Sequence, residues 1–94
     1  MPTPQEIQQE RRENARRAVR AYLAERSALA FHPRTILNRV NEGHANDFTE
    51  EEINAALAFL VGDGQAEKSH EKLGATLYFK ITSKGVIEHE RDGL

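Results

Sequence analysis

The apolar positions of this chain follow two periods, one helical and one alternating, and the change between them falls near Gln65. Ala15, Ala18, Val19, Tyr22 and Leu23 recur at the i, i+3, i+4, i+7, i+8 spacing of one buried helical stripe. They predict a long first helix from Pro4 to about Arg26, with Thr3 as its cap, Pro4 in its first position and Glu6 as an early carboxylate. Residues 8–14 are polar all round and only Ile7 precedes them as an apolar anchor. Residues 1–14 therefore read as a polar helical arm, solvated or fraying, ahead of a folded domain over residues 15–94.

In the connector, residues 27–32, Leu29 and Phe31 alternate with Ala30, enough for a few residues of strand. Pro33 then opens a second helix with Ile36, Leu37 and Val40 on one face and Gly43 in place for a left-handed C-terminal cap. Thr49 and Glu52 form a Thr-x-x-Glu capping box, with Phe48 placed to staple against Ile53 or its neighbour. A third helix is expected from Glu50 to Val61, burying Ile53, Ala56, Leu57, Leu60 and Val61 and ending at Gly62-Asp63-Gly64. Beyond it residues 65–69 are strand-like and polar, while Leu77, Phe79 and Ile81 alternate with Tyr78 and Lys80 as a half-buried strand. A turn over residues 70–74 makes the two a hairpin, and Thr82 caps a short last helix whose Val86 and Ile87 return to the core.

Composition narrows what such a chain does. Its 94 residues leave room for one small domain and no deep enzyme cleft. The absence of cysteine removes a disulfide framework, a thiolate metal site and a cysteine nucleophile together. The N-terminus is polar and no apolar run approaches a membrane span, so the expectation is a soluble cytoplasmic protein. Charge is informative by region: residues 1–39 carry eight Arg against four Glu, or +4, and residues 40–94 carry −6, within a net charge of −2. A local basic face can bind nucleic acid even so, but an overall basic composition does not announce it.

The order helix, short strand, helix, helix, hairpin, helix resembles the winged helix-turn-helix fold, mainly α within the α+β class. Two stretches carry the resemblance over residues 15–91: Leu57-x-x-Leu60-x-x-x-Gly64, and Tyr78-Phe79-Lys80-Ile81-Thr82-Ser83-Lys84-Gly85, which looks like a wing strand running into the last helix of bacterial regulators. A further likeness, through His32-Pro33-Arg34-Thr35-Ile36, Phe48-Thr49-Glu50 and Ala56-Leu57-Ala58-Phe59-Leu60, is to small winged-helix proteins of Mu-like phages and prophages, and implies a phage context rather than a defined activity. The fold resemblance implies a non-enzymatic DNA-binding regulator whose third helix enters the major groove of double-stranded DNA while the wing touches the backbone. Carried onto this sequence, the expected DNA contacts are Arg34 and Arg39 on the second helix, Asn54 on the third, and Lys68, His70 and Lys72 in the wing.

Other residues pull in a different direction. Glu50-Glu51-Glu52 places three carboxylates at the start of the third helix, where like charge opposes a polyanion, although the helix dipole alone explains carboxylates there. Ala55, Ala58 and Phe59 mark an outward face that suits either a protein partner or packing of Phe59 within the monomer. The alternative function is accordingly a winged-helix interaction or assembly module that does not bind DNA. Arg12, Arg16 and Arg20 repeat along the first helix with Arg17 nearby, a row that suits phosphates, an acidic partner in a homodimer through the first helix, or a solvated face laced by Glu10, Glu13 and Glu25. The four histidines lack metal-ligand spacing, and no phosphate-cradling loop, nucleophile elbow or carboxylate pair emerges, so no metal, cofactor or catalytic residue is expected.

Overall fold

A computed structural model of the chain describes residues 1–42, 47–70 and 76–93, with the backbone alone at residue 70. Its order is α1 (Pro4–Ala24), α2 (Pro33–Glu42), α3 (Glu50–Gly62), β1 (Ala66–His70), β2 (Leu77–Ile81) and α4 (Ser83–Asp92). The expected Gly43 cap and the turn residues 71–74 lie outside the described residues.

Local chemistry starts each helix where the sequence signals it. The Thr3 hydroxyl accepts from the Glu6 N–H at 3.1 Å while the Glu6 carboxylate accepts from the Thr3 N–H, and Pro4 fills the position whose N–H would have no partner. Thr49 and Glu52 repeat the box on α3. α1 stops two residues before Arg26 because the next turn tightens, with the Arg26 N–H bonding the Leu23 carbonyl, and the Arg26 guanidinium takes the Tyr22 carbonyl as a side-chain cap. At the end of α3 the Gln65 N–H reaches the Leu60 carbonyl at 2.8 Å and the Gly64 N–H reaches Val61, with Gly64 at φ +79°. This is a Schellman close, and it consumes Gln65, so β1 begins one residue later than the alternation predicts.

β1 and β2 pair antiparallel with Ala66 opposite Ile81 and Lys68 opposite Phe79. The connector contributes a single bridge rather than a strand: Phe31 exchanges two 2.8 Å hydrogen bonds with Phe79. Ala15, Val19, Leu23, Ile36, Ile53, Leu57, Leu60, Phe79 and Ile81 form one core, which Phe48 closes from the α3 end. Val86 packs against that core, but Ile87 does not return to it and stays 49 % exposed. The reason is Gly85, which brings α4 so close to the chain that a Cβ there would stand 2.1 Å from the Gln65 carbonyl oxygen and 2.5 Å from Ile81. Contact through Gly85 turns the Ile87 side of the helix outward.

Candidate nucleic-acid interface

The starts of α2 and α3 meet at a shallow cleft of ≈ 230 Å³ lined by His32, Pro33, Arg34, Leu37, Glu50, Ile53 and Asn54. Leu37 and Ile53 come from the buried faces of the two helices, so burying them forces the exposed Arg34 and Asn54 to the same rim. His32 positions this rim twice. Its Nδ1 accepts from the Arg34 N–H at 3.1 Å, capping α2 ahead of Pro33, and its ring meets Tyr78 of β2 edge-on at 6.2 Å between centroids. Pro33 in the first helical position is the sequence signal that could have identified His32 as the cap.

The expected contact residues are thus not all in one place. Arg34 and Asn54 share the cleft. Arg39 is exposed with Glu42 at 3.5 Å, and it lines a different groove, between α1 and α2. Lys68 is exposed on β1. The His70 side chain and Lys72 lie outside the described residues.

The acidic run is chemically heterogeneous. Glu50 and Glu51 are exposed, whereas Glu52 accepts a fork from Arg11, with Nε at 2.7 Å and Nη2 at 2.8 Å, besides capping Thr49. The Arg11 hydrogen bonds, outweighing burial, hold the Glu52 carboxyl at about 2, and the same bonds raise the Arg11 pKa. Arg11 also donates to the Asp47 carbonyl and lies 5.7 Å over the Phe48 ring. This arginine joins residues 41 positions apart, and nothing in the local pattern singles it out.

The arginine row of α1 is largely spent inside the molecule. Arg16 stacks 3.7 Å over the Phe59 ring, which covers one face of a side chain still 41 % exposed. Arg20 donates to Gln65 at 3.1 Å and to Asp92, and burial lowers its pKa. Arg17 also approaches Asp92, at 3.6 Å, so the acidic partner of the row comes from the end of α4 and not from the glutamates of α1. Arg12 remains exposed, as do Ala55 and Ala58 on the outer face of α3. Among the described residues no cluster of His, Asp and Glu could hold a metal ion, and no described helix is long and apolar enough to cross a membrane.

Three helices, a fourth helix after the hairpin, and a two-stranded sheet extended by the Phe31 bridge define a winged helix-turn-helix fold, mainly helical within the α+β class. Solved structures with this fold include a transcriptional regulator from Clostridium thermocellum, Cth-833, similar over 99 % of this chain and 85 % of that one at a TM-score of 0.73 and 16 % identity. A mutant of Lactococcus lactis ZitR is similar over 85 % of this chain and 49 % of its own at a TM-score of 0.66 and 15 % identity. Its apo form gives a TM-score of 0.62 at 15 % identity, over 86 % of this chain and 58 % of that one. The chain spans about half the length of the first of these ZitR structures. No family model and no curated protein matches the sequence.

Proposed function

We propose that this protein is a non-enzymatic DNA-binding regulator that presents α3 to the major groove of double-stranded DNA. The observation that carries the reading is the cleft joining Arg34 of α2 to Asn54 of α3, tied to the hairpin through His32 and Tyr78. In this proposal Arg34 and Arg39 neutralise phosphates, Asn54 reads a base edge, and Lys68, His70 and Lys72 touch the adjacent backbone. Locking Glu52 onto Arg11 leaves two outward carboxylates at the start of α3 instead of three, which lessens the repulsion from the duplex. A homodimer through α1 fits the proposal, because a twofold pair presents two α3 helices to one duplex. The cytoplasmic setting and the prophage context belong to it as well, the latter resting on the three stretches quoted above alone.

Fluorescence anisotropy of a labelled random duplex at low and physiological salt tests the reading. The expected result is binding that weakens steeply with salt and with Lys68→Glu plus Lys72→Glu. Absence of binding at low salt overturns it. A second reading then takes its place, in which Ala55, Ala58 and the exposed Phe59 contact a protein partner, and Phe59→Asp should abolish that contact without unfolding the chain.

A further inference from the structure

The first turns of α1 stand clear of the body. Residues 4–10 are all exposed, and the molecule measures 49 Å along its long axis against 29 and 24 Å across. Ile7 is the lone aliphatic side chain of that segment and is 46 % exposed. Along the same face of α1 runs a groove of ≈ 860 Å³ whose apolar lining includes Ile7, Ala18 and Ala21 of the helix and Val40 and Phe48 of the body, set among charged side chains that include Arg11 and Arg39. Ile7, Asn14 and Ala21 recur every seven residues, the spacing that keeps one seam of a helix against another helix.

We propose that this face of α1 receives α1 of a second copy, antiparallel, about a twofold axis at Asn14. This deepens the homodimer part of the reading above and does not depend on duplex binding. Charge selects the direction. Glu10 and Arg17 also lie seven apart and line the groove. A parallel pair sets Glu10 against Glu10 and Arg17 against Arg17, whereas the antiparallel pair sets Glu10 of each copy beside Arg17 of the other. Arg11 also lines the groove and falls opposite Arg17 of the other copy in this register, but its charge is met by the Glu52 fork within its own chain. The same register lays Ile7 over Ala21 of the second copy, where small, half-buried Ala18 and Ala21 leave room for an aliphatic side chain. Asn14 meets its own twofold mate, and an amide at a seam position fixes register and helix number at some cost in affinity. Arg17 approaches Asp92 at 3.6 Å within its own chain, and its side chain remains 60 % exposed and within reach of a neighbour. Every contact off the axis is made twice, as a twofold interface requires.

Sedimentation equilibrium of the full chain without DNA tests this across a range of concentrations. A species of twice the 10.6 kDa chain mass is expected at high concentration. Glu10→Arg should weaken it by about 10-fold, and adding Arg17→Glu to that variant should restore it. Ile7→Glu should abolish it, with circular dichroism melting showing that the exposed substitution leaves the fold intact. Because the chain has no cysteine, Asn14→Cys supplies a unique thiol that a short bifunctional reagent should join between copies. Monomer at every concentration overturns the proposal. So does a dimer indifferent to Ile7→Glu, a charge swap that fails to recover, or an Asn14→Cys chain that does not cross-link.

Discussion

Glu52 stands between helix initiation and tertiary structure, since one carboxylate serves the Thr49 cap and also receives the Arg11 fork. Its folded pKa is lowered from 4.5 to about 2, so the stability it contributes is fully present above 4.5 and is lost as pH falls toward 2. Urea unfolding followed between these values should show a decline in stability that Glu52→Gln flattens. At neutral pH Glu52→Ala, which removes both the cap and the fork, should cost about 1–2 kcal/mol. Arg11→Met should flatten the same acid decline, because the fork is the largest cause of the shift.

At the scale of elements, the end of α3, the hairpin and α4 are joined at one crossing. The buried Gln65 accepts from the Thr82 N–H through its carbonyl, donates to Asp63 through its amide, and accepts from Arg20. Gly85 sits against that carbonyl, so Gly85→Ala must push α4 off the strand and should cost about 1–3 kcal/mol in thermal unfolding. Gly62→Ala makes the control: a Cβ there meets nothing within 4 Å, and the exposed last turn of α3 should gain about 0.5–1 kcal/mol from better helix propensity. The opposite signs of two Gly→Ala changes in neighbouring elements would separate close approach from backbone entropy.

For the whole molecule, the regional charge imbalance becomes less of a dipole than the sequence implies. Arg11 pairs with Glu52, and Arg17 and Arg20 with Asp92, so the basic first helix is partly neutralised by the acidic remainder of its own chain. On the proposed function, exposed cations near the α2–α3 cleft therefore contribute more to duplex binding than the arginine row. Arg34→Ala should weaken duplex binding to a similar degree across sequences and reduce the slope of log affinity against log salt by about 1. Asn54→Ala should instead flatten preference at one base pair and leave the salt slope unchanged. Anisotropy titrations of both variants over a salt series distinguish the two roles.

The elements were legible in the chain alone, because what starts, stops and faces each one is local. Capping boxes at Thr3 and Thr49, the Thr82 cap, the glycine close of α3 and the helical stripes through Leu23, Ile36 and Leu57 all depend on residues a few positions apart. The second strand of the hairpin was legible from the alternation of Leu77, Phe79 and Ile81. Which charges are spent and which are offered outward follows from the packed fold. Arg11 with Glu52, Arg20 with Gln65 and Asp92, and Arg16 over Phe59 each join residues more than forty positions apart, where no periodicity operates. It also separated Arg39 from Arg34, which the sequence places on one helix, and united Arg34 with Asn54. Side chains meet across a fold according to how buried faces pack, and that packing is set by all the helices together.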